Sequence, residues 1–189
     1  MSGSFSNKPT IVGERVVLRP IVATDAAAMW VDLADAEAMR LTGTHATFTR
    51  EAIERWAASR GDQPDRLDLA VTDRDTGAWL GEVVINDWDP DNGCCGFRIA
   101  LSASARGRGV GTEATRLIVD HVFAEHPEVH RIELEVYAFN PRARAVYERV
   151  GFVTEGVRRH ALHWDGEWVD AIGMAILRPD WELRHQDGG

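Results

Sequence analysis

One short stretch constrains the fold of this 189-residue chain more than any other: Arg106-Gly107-Arg108-Gly109-Val110-Gly111. Before it lies an alternating segment with Phe97, Ile99 and Leu101 on one side. After it Ala114, Leu117, Ile118, His121 and Val122 recur at helical spacing. Pro127 ends that helix, and Ile132, Leu134 and Val136 then alternate with Arg131, Glu133 and Glu135 as a strand. A strand–helix–strand unit of this kind is parallel, with a right-handed crossover. The glycines therefore sit where the helix begins. A helix start presents unpaired amide N–H groups and a partial positive charge, and glycine lets a diphosphate approach the backbone closely. Arg106 and Arg108 add cationic donors, and Thr112 adds a hydroxyl. The run implies pyrophosphate binding; a glycine-rich turn with exposed arginines is the plainer alternative.

Two familiar phosphate motifs are excluded. A P-loop needs a Lys before its Ser or Thr, and here Gly111 directly precedes Thr112. A dinucleotide fingerprint has the spacing G-x-G-x-x-G at the first strand of its domain, whereas this run alternates and lies mid-chain. The pattern Arg/Gln-x-x-Gly-x-Gly/Ala is matched at every fixed position.

The remaining chain supplies a mixed sheet. Residues 14–21 read as a strand, and Thr24 as the cap of an Ala-rich helix with Met29, Trp30 and Leu33. Residues 41–45 read as a loop. Thr49 caps a further helix carrying Ile53, Trp56 and Ala57. Residues 67–71 and 79–86 form strands around a turn, and Asp89-Pro90-Asp91-Asn92-Gly93 is a second turn. Asn140 caps a helix with Pro141 at its first position, and Gly151 closes it. Two final strands meet at Asp165-Gly166, a hairpin pair. The expected fold is a single α/β (α+β) domain over residues 1–189 with a mostly antiparallel sheet, its core at 11–178 and its ends, 1–9 and 186–189, flexible.

The net charge of −9 argues against nucleic acid, whose phosphates need clustered Lys and Arg. Cys94 and Cys95 are adjacent and the chain has no others, so reduced thiols are expected. No His/Cys spacing suggests a metal. The polar N-terminus lacks a signal peptide's apolar region, and no apolar run is long enough to span a bilayer. A cytoplasmic protein with no membrane partner, monomeric or homodimeric, is expected.

A second constellation follows the parallel unit. Asn140, Ala143, Tyr147, Gly151 and Phe152 give N-x-x-A-x-x-x-Y-x-x-x-G-F. Taken singly, Asn140 is explained as a helix cap, and Tyr147 shares a face with Ala143, Val146 and Val150 as a core residue would. Together with the glycine run, the stretch resembles the GNAT superfamily of N-acetyltransferases, and residues 11–177 resemble its RimJ/RimL-like branch. The segments Gly156-Val157-Arg158-Arg159 and Gly166-Glu167-Trp168-Val169-Asp170 belong to that likeness.

The resemblance implies the GNAT acyl-CoA N-acyltransferase fold, with a central parallel strand pair that splays apart, and acetyl-CoA as co-substrate without a metal. It implies that Ile99, Ala100 and Leu101 pair with the pantetheine arm and that Arg106, Gly107, Arg108, Gly109, Val110, Gly111 and Thr112 bind the pyrophosphate. Asn140 would bond the cofactor arm, and Tyr147 would protonate the leaving thiolate. Direct transfer to a primary amine also needs a base, for which Glu82 and Glu135 rank first. His45, His160 and Trp164, with Trp168 nearby in sequence, are candidates for the acceptor side. The acceptor is either a protein N-terminal amine or a small-molecule amine. A non-catalytic acyl-CoA sensor and a nucleotide-phosphate-binding protein are the rival readings.

Overall fold

In the computed structural model, residues 5–186 are described. The chain runs β1 (Ile11–Val12), β2 (Val16–Pro20), α1 (Ala26–Leu33), α2 (Ala36–Thr42), α3 (Arg50–Ser59), β3 (Leu67–Asp73), β4 (Trp79–Asp89), β5 (Cys94–Leu101), α4 (Val110–Glu125), β6 (Arg131–Tyr137), α5 (Pro141–Val150), β7 (Val153–Trp164), β8 (Glu167–Leu177) and α6 (Arg178–Gln186). One eight-stranded sheet has the order β1-β2-β3-β4-β5-β6-β8-β7. Every neighbouring pair is antiparallel except β5–β6. The mixed, mostly antiparallel sheet with a central parallel pair is thus present as expected.

The two halves of the sheet are covered differently. Helix α4 lays Ala114, Ile118, Val119, Val122 and Phe123 on one face, where they join Leu67, Val83, Ile85, Cys95, Ile132 and Ile176 in the main core. On the other face α1 and α3 bring Ala26, Met29, Ile53 and Ala57 against Ile21 and Ala70. Strand β3 is consequently buried at six successive positions, the pattern of a strand covered on both sides. The far edge strand β7 buries only Leu162.

Local signals placed most boundaries. Thr49 Oγ1 accepts from Ala52 N at 3.2 Å, and Asn140 Oδ1 accepts from Ala143 N at 3.1 Å, so both caps form as read. Four readings need correction. Thr24 caps nothing: a 3-10 turn (Ala23–Asp25) leads into α1, and Asp25 turns its carboxylate onto Arg19 and Val22 N. The expected loop at 41–45 begins inside helix α2, which stops where Gly43 adopts a left-handed φ of +62°. The last third also contains α6, so Gln186 ends a helix rather than a flexible tail. Arg178 anchors it by donating to the carbonyls of Phe123, His126 and Val129, the open C-terminal end of α4 and the turn after it.

The fourth correction concerns the leading residues. Phe5 is fully buried against Trp88 and His126, and its N–H donates to Pro64 O at 3.1 Å. Lys8 Nζ donates to the carbonyls of Phe5, Gln63 and Arg66. Residues 5–8 are therefore docked, while the expected flexible positions 1–4 and 187–189 lie outside the described residues. No helix among the described residues is long and apolar enough to cross a membrane.

Candidate active site

The parallel pair stays together for three rungs only: Cys94↔Arg131, Cys95↔Ile132 and Gly96↔Glu133. Beyond them β5 continues to Leu101 on β4, and β6 continues to Tyr137 on β8. The strands have separated, and residues 97–101 keep one edge free. A cleft of about 1200 Å³ fills the gap. Ile99, Ala100 and Leu101 line one wall, Leu134 to Tyr137 the other, and Gly107, Gly109, Gly111, Thr112, Asn140 and Tyr147 its mouth.

The glycine run sits at the open end. Gly107 and Gly109 have φ of +76° and +81°, a region that L side chains rarely enter. Gly109 is the residue before α4, and among the described residues no side chain caps the first turn. The helix-start amides are therefore open to solvent or an anion. Val110 is buried in the core, so only its backbone can contribute. Arg108 is exposed, reaches Ser104 O at 3.4 Å and does not line the cleft.

Arg106 does not offer a free guanidinium. Its Nη1 donates to Glu37 Oε2 at 2.7 Å and its Nη2 to Asp35 Oδ2 at 2.8 Å. The cations that reach the glycines come from elsewhere. A Cβ on Gly107 would lie 3.3 Å from Arg142 Nη2, and one on Gly109 would lie 3.4 Å from Arg15 Nη1; Arg142 lines the cleft, whereas Arg15 does not and has Glu113 Oε2 3.8 Å from its Nη1. Neither arginine stands out in the sequence, because both belong to segments remote from the run.

Asn140 lines the cleft while its Oδ1 caps α5; a cofactor arm would meet its amide NH2. Tyr147 projects from α5, is 8% exposed and packs edge-on to Phe97 and Phe152. Burial pushes its phenol up to about 12. The core reading and the cleft reading of Tyr147 are both met, since it belongs to the main core and lines the cleft.

The two base candidates live in opposite surroundings. Glu82 on β4 stands between Ala70 and Ala100 on the face under α1 and α3. The residue keeps partial exposure, but its Oε2 is enclosed with no hydrogen-bond partner. A cavity of about 20 Å³, lined by Thr42, Glu82, Val84, Arg98, Ile99 and Ala100, adjoins it and is room for one water. Burial pushes the Glu82 carboxyl up to about 7, with Asp68 and Asp32 adding to the rise and Arg98 and Arg66 opposing it. Glu135 on β6 is exposed and paired with Arg158, and neighbouring Glu133 pairs with Arg131 at 2.8 Å.

The acceptor candidates separate into two groups. His45 stacks on Trp164 at 4.8 Å between ring centres. His160 instead faces Trp168 at 6.2 Å, at a bulge in β7 where its φ is +52°. None of His45, His160 and Trp164 lines the cleft. Helix α2 does so, through Glu37, Ala38, Arg40, Leu41 and Thr42. Cys95 is fully buried and burial pushes its thiol far up; Cys94 is raised by the same cause. Neither is a ready thiolate. Among the described residues no three His, Cys, Asp or Glu side chains are grouped to hold a metal ion.

The acetyltransferase (GNAT) domain profile matches residues 15–153 of this chain. The chain belongs to the GNAT acetyltransferase family. This GNAT protein is 26% identical over 174 residues to the SPbeta prophage-derived uncharacterized N-acetyltransferase YokL of Bacillus subtilis, covering 92% of this chain and 96% of that one. It is 42% identical over 82 residues to the probable N-acetyltransferase YjcK of the same organism, where it spans 43% of its own length and 45% of the relative's. Spermidine N-acetyltransferase from Vibrio cholerae, solved with CoA and spermine, superposes with a TM-score of 0.82 at 20% identity, over 90% of this chain and 99% of that one. At that identity the likeness speaks for the fold alone.

For a GNAT enzyme, the free edge of β5, the two left-handed glycines and the uncapped start of α4 fit an acyl-CoA: they offer a strand edge to an amide-bearing arm and N–H groups to a diphosphate. Sequence reasoning missed Arg142, Arg15 and the whole of α2. A faint signal for α2 existed in Asp35 followed by Glu37, an N-cap with an acid in the first turn.

Proposed function

We propose that this GNAT enzyme transfers the acetyl group of acetyl-CoA to a primary amine by direct attack in a ternary complex, with the α-amine of a peptide as acceptor. The observation that supports it most is the parting of β5 and β6 beyond Gly96 and Glu133, beside the glycine run. Bound acetyl-CoA would supply a thioester carbonyl that the amine attacks and a thiolate that leaves. The chain's own residues do the rest. Residues 97–101 hold and orient the arm, the α4 amides with Arg142 hold the diphosphate, and Asn140 steadies the arm at the mouth.

Glu82 takes the proton that the amine must lose, through the water-sized cavity beside it. Its pKa of about 7 bears on the acceptor. A peptide α-ammonium has a pKa of about 7.7–8.0, whereas an alkylammonium such as a lysine or polyamine nitrogen lies at about 10.4. Glu82 is thus matched to the former within roughly one unit, and would work against about three units for the latter. Free carboxylates for a polycation are also scarce on the β6 side of the cleft, where Glu133, Glu135 and Glu155 are tied to Arg131 and Arg158. Tyr147, at about 12, is a weaker acid than a thiol at about 8.5. Its role is to donate a hydrogen bond to the leaving sulfur rather than to surrender its proton.

A thiol-release assay over peptides with different N-termini and over polyamines tests this reading. Peptides are expected to exceed spermidine in kcat/KM by tenfold or more. The reverse ranking would move the acceptor class to polyamines. Tight CoA binding without thiol release from any amine would favour the non-catalytic sensor. Gly109→Asp places a carboxylate against the diphosphate and is expected to abolish CoA binding; unchanged affinity would remove the cradle.

A further inference from the structure

The first arginine of the glycine run, Arg106, lines the cleft but gives its guanidinium to α2. We infer that Arg106 is a positioning residue: it braces α2 against the pyrophosphate loop and so sets the α2 wall of the cleft, which we take as the acceptor side, while the charge facing the diphosphate comes from Arg142, which lines the cleft. The inference rests on the acetyl-CoA reading proposed above and assigns this arginine a task at the opposite substrate.

The geometry has three parts. First, Arg106 is forked, one nitrogen on Asp35 and one on Glu37, with its side chain 19% exposed. Asp35 is doubly used, because its other oxygen accepts from Glu37 N at 2.9 Å and caps α2. A planar guanidinium spanning two carboxylates is a directional tie that a lysine would not reproduce. Second, α2 is only lightly packed, against α1 and β5. None of its residues is buried. Its other anchors lie at the far end, where Arg40 covers the Phe139 ring at 4.3 Å and Gly43 sits so close to Tyr137 that a Cβ would come within 2.5 Å of the phenol oxygen. Third, what α2 holds in place is the cleft wall itself. Glu37, Ala38, Arg40 and Leu41 line the cleft, and Thr42 lines both the cleft and the small cavity beside Glu82. Releasing Arg106 therefore frees the N-terminal end of α2, with Glu37 and Ala38 of the cleft wall, to pivot about the Arg40–Gly43 end, where Thr42 bounds the cavity beside Glu82.

Arg106→Met is the test, read by CoA affinity, acceptor KM and the pH profile of kcat/KM. The expected result is a CoA Kd within about twofold of the parent and an acceptor KM raised about tenfold. The acid limb should also move down from near 7 toward the ordinary carboxylate value of 4.5 as water reaches Glu82. The charged groups around Glu82 are Arg98 on β5, Asp68 on β3, Arg66 before it and Asp32 on α1, and the substitution touches none of them. Asp35→Asn with Glu37→Gln keeps an N-cap acceptor but removes both charges; it should reproduce the Arg106→Met profile, and combining all three changes should add nothing further. Arg106→Lys should recover only part of the loss. A CoA Kd raised tenfold or more by Arg106→Met, with the Asp35/Glu37 variant behaving as the parent, would make Arg106 a phosphate ligand and overturn the inference. So would unchanged acceptor KM and pH profile. Amide exchange in α2 separates this from failure of the acetyl-CoA reading. Faster α2 exchange in Arg106→Met is expected whether or not CoA binds, and unchanged exchange counts against the brace alone.

Discussion

Glu82 in the β2–β5 half of the sheet and the glutamates of the β6–β8–β7 half are carboxylates of opposite character, and the cleft lies between the two halves. Within the first half β3 is buried on both faces, and Glu82 on neighbouring β4, its Oε2 enclosed without a partner, loses water and is raised to about 7; Asp68 on β3 is instead paired with Arg66 at 2.7 Å. The second half has helices on one face and water on the other. Three of its acids, Glu133, Glu135 and Glu155, are each held by an arginine; for Glu155 the Arg131 hydrogen bond outweighs the small cost of burial and brings its carboxyl below the usual range. Of the two candidate bases, Glu82 is therefore the one poised near neutrality. That difference ranks Glu82 above Glu135, which the sequence left level.

The sharpest way to break this comparison is Glu82→Gln. Turnover is expected to fall on the order of 10²–10³-fold, within the range of general-base catalysis, and the acid limb of kcat/KM near pH 7 should vanish; a retained limb would assign the base elsewhere. The same variant should be more stable at alkaline pH. The folded pKa of Glu82, about 7, is above its ordinary 4.5, so the native state binds the extra proton and loses stability as pH rises between those values. Removing the charge is then worth roughly 3 kcal/mol at pH 8 and almost nothing at pH 4, measurable by urea unfolding at the two pH values. Equal effects at both would mean that Glu82 is not held proton-rich.

Smaller effects sharpen the comparison. Tyr147→Phe should lower kcat about tenfold, with CoA affinity nearly unchanged; a loss confined to stability would return Tyr147 to the core alone. Glu135→Gln should alter turnover by less than about twofold and stability by at most about 1 kcal/mol, as for an exposed pair. A hundredfold loss there would reverse the ranking of the two acids.

What could be read from the chain follows the range of the forces involved. Caps at Thr49 and Asn140, the Asp165-Gly166 turn and the alternation in β5 and β6 are decided by neighbours within a few residues, and the sequence shows them. Helix α2 depends on a tie between Arg106 and two acids about 70 residues earlier, and α6 on Trp181 reaching Asp120 and Phe123. Phe5 looks like part of a polar leader until Trp88 and Pro64 are brought beside it. The site divides in the same way. The glycines, Asn140 and Tyr147 carry a spacing that is visible in one dimension. Glu82 differs from any other strand glutamate only through what folds over it, and the separation of His160 from His45 and Trp164 rests on a β-bulge.

Three rungs between β5 and β6 also make the sheet two plates stitched at one end. Every second amide of residues 97–101 points away from β4 into the gap, with no strand to receive it. A ligand arm that accepts and donates there works as a ninth strand of foreign chemistry, sewing the plates along the rest of their length. Free protein should then open first along this seam under heat or mechanical load, and those alternate amides should exchange with solvent quickly. Once the arm is in place the plates should unfold as one body, the exchange quenched in a pattern that skips every other residue.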